Sequence, residues 1–336
     1  MYKKVAWVVL GVVVALWMLL PIAGFSAAAA PVKKPVIAVV VKSIAYRWFQ
    51  RMAEGVQQFA KDFDVIAFLQ GPPVADSAQQ VALIEQLIAM GVNAIVNVPY
   101  GVPENEPAQK EAMDNGIIVI THEASTTRYA HYDLEAFDNK SYGEEMMRQL
   151  AARMGYEGDY VQFVGSFTNA SHMEWQQAAR AYQEAHYPKM RSLGIFESKE
   201  TEAYTVMKDL LKAYPTIRGV LGSSALDVVG AGQAIQEAGL NDQIAVVGTS
   251  IVSYAGELLK TGAVDLAMCW DPALAGYAAC VVAYKLLMGE KINDGMNLGV
   301  PGYENIRIVV NEHGVPVIYG TGWILIDATN MHQYNF

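Results

Sequence analysis

The chain has 336 residues, 53 % of them apolar, which is long enough for two globular domains of ordinary size. Its formal charge is −10, with no basic cluster, and that argues against nucleic acid as a partner. The two cysteines, Cys269 and Cys280, lack metal-ligand spacing and are expected as buried thiols, one in a strand and one in a helix.

Lys3 and Lys4 precede an apolar run from Val5 to Leu20, which Pro21 and Gly24 interrupt. The following "FSAAAAP" offers small residues at the −3 and −1 positions of a cleavage site, so residues 1–30 are expected to be a cleaved export signal. No cysteine follows the run, which excludes a lipoprotein signal, and loss of the two lysines moves the charge to −12.

From Pro35 a short apolar run, a turn and a helical stretch recur. Strands are predicted over 36–41, 65–70, 93–99 and 116–123, with helices near 46–61, 76–90 and 104–114. In the second half strands are predicted over 160–165, 218–224, 244–250 and 263–271. Helices there fall near 172–187, 203–214, 226–238, 252–260 and 273–288. Strands without alternation, each followed by a helix, mean parallel sheets covered on both faces. There are too many units for one sheet, and polar stretches fall near 134–140 and 292–305, so the fold class is α/β with two doubly wound lobes. Ligands of such sheets sit beyond the carboxyl ends of the strands.

The chain has no G-x-G-x-x-G after a strand, no P-loop, no H-E-x-x-H and no G-x-S-x-G, and its six histidines do not pair at i, i+4. These absences speak against dinucleotide, P-loop and zinc enzymes. The distinctive residues gather at strand ends instead: Lys42 with Tyr46, Trp48 and Phe49; His122 with Glu123; Ser223 and Ser224; Ser250; Trp270 with Asp271. A further group, "TNASHMEW" (168–175), opens a helix with Ser171, His172 and Trp175. Rings stack on the C–H faces of a hydroxylated ligand, while a few donors and acceptors pair its hydroxyls. Each residue also has a plainer reading. Phe49 and Trp175 fit a helical core face, Lys42 can extend to solvent, and Asp271 before Pro272 fits a helix N-cap.

Three stretches, "VVVKSIAYRWFQRMAEG" (39–55), "VVGTSIVSYAGELLKTGAVDLAMCWDPALAGYAA" (246–279) and "GTGWILIDATNMHQYNF" (320–336), resemble the type I periplasmic binding proteins of ABC importers, within them the autoinducer-2-binding and rhamnose-binding branch. The resemblance spans essentially the whole mature chain. It implies two lobes, 31–136 plus 273–303 and 137–272 plus 304–336, joined by crossings near Ala136, Pro272 and Tyr303. It also implies a ligand enclosed by hinge closure. It further implies a monomer in the periplasm, an ABC permease as partner and no cofactor. By similarity Lys42, Glu123, Trp270 and Asp271 hold binding positions, and Trp48 and Phe49 form an aromatic wall.

Ser250 stands where ribose-type relatives carry an aspartate. Ser171 and His172 replace the Asp-Gln pair of the autoinducer-2 branch. Ser223, Ser224 and Ala225 replace its Pro-Asp-Ala turn, and Glu123 replaces an Asp. These departures favour a neutral sugar, deoxysugar or sugar alcohol over autoinducer-2, and His172 leads us to expect affinity that varies between about pH 5.5 and 7.5. Two other readings remain: a sensing protein that reports to a chemoreceptor, and an extracellular sugar-acting enzyme with Glu123 and Asp271 as its acid pair. A DNA-binding repressor is disfavoured because the export leader occupies the place of its helix-turn-helix.

Overall fold

The computed structural model describes residues 34–336, so the expected export signal lies outside the described residues. Val36–Val40 (β1) is flanked by Ile66–Gln70 (β2) and Ala94–Asn97 (β3), all parallel, with Val39 level with Leu69 and Val96. Ile118–His122 (β4) and Tyr132–Glu135 (β5) extend the sheet beyond β3. Alternate residues of β1 serve opposite faces. Ile37 and Val39 pack toward helices Arg47–Asp62 (α1) and Pro272–Leu287 (α9), whereas Ala38 and Val40 meet Ser77–Met90 (α2) and Val102–Asp114 (α3). That two-sided burial is why the strand reads as a continuous apolar run.

The second sheet has the order β13-β10-β9-β8-β6-β7, built from Gly158–Val164 (β6), Met190–Glu197 (β7), Ile217–Gly222 (β8), Ala245–Thr249 (β9), Leu266–Cys269 (β10) and Ile324–Ile326 (β13). Asn139–Arg153 (α4) and Ala170–His186 (α5) cover one face; Ala203–Ala213 (α6), Asp227–Glu237 (α7) and Val252–Thr261 (α8) pack on the other side. Asp138 caps α4, its carboxylate accepting from the Ser141 amide at 2.8 Å, so part of the polar stretch near 134–140 starts a helix. Cys269 on β10 and Cys280 on α9 are buried free thiols.

The chain passes between sheets after Glu135, again around Trp270 and Asp271, and finally between Tyr319 and Ile324. The last crossing corrects the boundary expected near Tyr303. Arg307–Val310 (β11) and Pro316–Tyr319 (β12) form a hairpin whose second strand pairs parallel with β5, Val317 level with Asp133. Residues 307–319 therefore belong to the first sheet, where the hairpin covers the edge that β5 would otherwise expose. Among the described residues no helix is long and apolar enough to cross a membrane.

Candidate functional site

A cavity lies between the carboxyl ends of the two sheets, where ligands of such sheets bind. From the first lobe, the backbone leaving β1 presents Lys42, and the start of α1 supplies Tyr46, Trp48 and Phe49. Glu123, directly after β4, has φ +57°, a left-handed conformation that costs a non-glycine residue free energy and marks a constrained site. Its Oε2 accepts from Lys42 Nζ at 2.6 Å, with both side chains about 5 % exposed. The ion pair joins two strand ends that are not adjacent in the sheet, since β3 and part of the cleft floor lie between them.

The second lobe contributes Ser223, Ser224, Ala225 and Leu226 between β8 and α7, Thr249 at the end of β9, and Tyr254 on α8. His172 and Trp175 come from α5, and Glu200 from the loop after β7. Trp270, on the second crossing, ties the rings together. Its centroid is 4.7 Å from that of Trp48 at 77°, 5.1 Å from that of Phe137, and 5.9 Å from that of Trp175. Edge-to-face pairs of this kind hold the wall rigid.

His172 Nδ1 accepts from the Gly165 amide at 3.2 Å, which assigns the ring proton to Nε2. Burial, and secondarily the charge of Lys42, hold its pKa well below the usual histidine value. The buried ring therefore resists protonation, which corrects the expectation that His172 makes affinity vary between about pH 5.5 and 7.5. Glu200 has φ +67°; its Oε2 accepts from Ser224 Oγ, while Oε1 has no hydrogen-bond partner among the described residues. Trp270 Nε1 is likewise buried and unpaired. Unpaired buried polar atoms are costly, so both mark places where a ligand group fits.

Of the residues singled out in the sequence, the cavity brings together Lys42, Trp48, Phe49, Glu123, His172, Ser223, Ser224, Ala225 and Trp270. Four lie elsewhere, among them His122, whose Nδ1 donates to the Leu134 carbonyl. Ser171 donates to Glu135 Oε1 at 3.1 Å, and Ser250 donates to the Ala225 carbonyl at 2.8 Å. Asp271 caps α9 through the Ala273 amide and takes a bidentate pair with Arg51 at 2.9 and 2.7 Å. Both its oxygens are engaged by these structural partners. Glu123 and Asp271 consequently do not assemble as an acid pair in one cavity. Tyr46 and Trp175 were visible in the sequence as rings beside the motifs. Glu200, Leu226, Thr249 and Tyr254 were missed, and "SKETE" around Glu200 reads like any polar surface turn.

The mouth is shut. Arg47 of the first lobe donates its amide to Tyr254 Oη at 2.5 Å and its guanidinium to the Ser253 carbonyl. Val102 N donates to Thr168 O at 3.3 Å, and Ser125 Oγ to Glu174 Oε1.

Two α/β lobes closed over a ring-lined polar cavity define a two-lobed solute-binding protein. A family model described as a periplasmic binding protein domain matches residues 37–291, and the chain belongs to that family. It is 26 % identical over 277 residues to a D-ribose/D-allose-binding protein of Pseudomonas aeruginosa, covering 77 % of this chain and 84 % of the relative. It is 24 % identical to a D-allose-binding periplasmic protein of Escherichia coli over 71 % of this chain and 80 % of that one. Among solved structures, LsrB from Clostridium saccharobutylicum in complex with AI-2 superimposes with a TM-score of 0.82 at 18 % identity, covering 90 % of this chain and all of that one. A solute-binding protein of Clostridium phytofermentas with bound L-rhamnose gives 0.81 at 18 % identity, covering 90 % and 98 %.

Proposed function

We propose that the protein is the extracytoplasmic solute-binding component of an ABC importer and captures a small neutral polyhydroxy ligand, a sugar, deoxysugar or sugar alcohol. The observation that carries this reading is the closed cavity itself, in which rings from both lobes flank the Lys42–Glu123 pair, His172, Ser224 and Glu200. Ring faces stack on the C–H faces of a sugar, and the polar groups pair its hydroxyls. The names of the relatives, ribose, allose and rhamnose among their ligands, support the class of ligand. The closed form is the one a permease would receive, and the protein acts as a monomer that returns its ligand unchanged.

The test is a thermal-shift and calorimetric panel of D-ribose, D-allose, L-rhamnose, D-arabinose, sugar alcohols and autoinducer-2. A ligand at 100 times its Kd adds about 2.7 kcal/mol of stability. The hit should bind Trp270→Ala at least about tenfold more weakly, a loss of about 1.4 kcal/mol. A panel with no neutral sugar or polyol among its hits defeats the reading, as does a hit whose affinity ignores Trp270.

A further inference from the structure

Glu200 stands apart among the charged groups on the cavity wall. Its carboxyl lies over Gly165, where a Cβ would come within 2.1 Å of Oε1, so the glycine makes room for it. One oxygen takes the Ser224 hydroxyl and the other is bare. Lys42, at the end of β1, is already paired with Glu123 after β4. Lys199, next in the chain, pairs with Glu202 at 3.3 Å on the surface. Tyr46 before α1, Tyr100 after β3 and Tyr254 on α8 are phenols that burial keeps neutral, and His172 on α5 is a neutral ring. Asp227 on α7 is another acid, satisfied by Ser198 Oγ and by the amides of Ser223 and Ser224. None of these elements brings Glu200 a counter-charge of its own.

An isolated carboxylate shut away from water is more costly than its protonated form. Burial accordingly raises Glu200 above the usual glutamate range, opposed by Lys42 and by the Ser224 hydrogen bond. We propose that closing the cavity over a neutral sugar takes up one proton from solvent onto Glu200, whose Oε1–H then donates to a ligand oxygen while Oε2 accepts from Ser224. In the open cleft the same group is solvated, which removes the burial that raises it. Affinity is therefore highest at low pH, where Glu200 is protonated in both forms, and falls as pH rises toward the raised pKa of the closed form, by up to about tenfold per pH unit for one proton.

This inference rests on the sugar reading, and the experiment separates the two. Calorimetry of the tightest-binding panel sugar, in buffers of different ionisation enthalpy near neutral pH, counts protons taken up on binding. The wild type should take up more than E200Q, by up to about one proton per ligand. E200Q, whose amide donates to the same oxygen, should bind within about threefold of wild type near pH 5.5 and show a flatter Kd between about pH 5.5 and 7.5. Equal proton uptake by the two proteins overturns the inference. So does a loss of about tenfold or more in E200Q at every pH, or tighter binding of D-glucosamine than of its neutral counterpart; either marks an ionised Glu200. If no neutral sugar binds the wild type, the sugar reading itself fails and this inference fails with it.

Discussion

Lys42 and Glu123 meet at 2.6 Å with hardly any access to water, and such a pair is a liability as soon as one member is lost. A buried charge without its partner costs about 3–5 kcal/mol, whereas replacing both members by apolar groups of similar volume is often neutral. Glu123→Gln should therefore destabilise the protein by roughly that amount in urea unfolding, and the double variant Lys42→Met/Glu123→Leu should recover most of it. If the single variant is as stable as wild type, the pair is not what holds these strand ends together. Side chains at this scale were partly legible. Lys42, Glu123, Ser224 and Trp270 stand at strand ends, where the topology aims side chains into a cleft. Asp271 was misplaced because its partner, Arg51, lies on a helix 220 residues earlier, and nothing local announces such a pair.

At the scale of elements, α1 and α9 cross closely because Gly55 has no side chain. A Cβ there would sit 1.8 Å from the Ala273 carbonyl oxygen, which is backbone and cannot swing away. Gly55→Ala should cost at least about 1–3 kcal/mol by forcing the helices apart. It should also weaken ligand binding, because α1 carries Trp48 and Phe49. Gly256→Ala on α8 is the control: its Cβ would meet only the ends of Val252 and Met331 at 3.3 and 3.5 Å. That variant should be neutral, or more stable by up to about 1 kcal/mol from helix propensity. Denaturant midpoints of the two variants decide the matter, and equal midpoints would mean that the helix crossing is not tight. The helices themselves were readable from their apolar stripes, but the closeness of α1 to α9 was not, since periodicity gives a face and not its partner.

For the whole molecule, the contacts that bridge the lobes at the cavity mouth include Arg47 with Ser253 and Tyr254. A ligand shifts an open–closed equilibrium only by binding one state better than the other. Saturating sugar should thus reduce the radius of gyration in small-angle scattering. Arg47→Ala should weaken binding by several-fold, up to about tenfold, with little effect on the unfolding free energy of the unliganded protein. A radius unchanged by saturating ligand would show that capture does not proceed by closure.

The sequence by itself determined the α/β class, most of the strand and helix positions, and the strand ends at which recognition residues gather. Runs such as "VIAVV" have no polar alternation because both faces of their sheet are covered, and that constraint is written locally. Tertiary structure alone decided that the hairpin β11–β12 joins the first sheet, that Asp271, beyond the α9 cap its sequence context already offered, pairs with Arg51, and that Glu200 reaches the wall from an ordinary-looking turn. Each of these depends on a partner distant in the chain, and apolar periodicity records which face of an element is buried without recording what it is buried against.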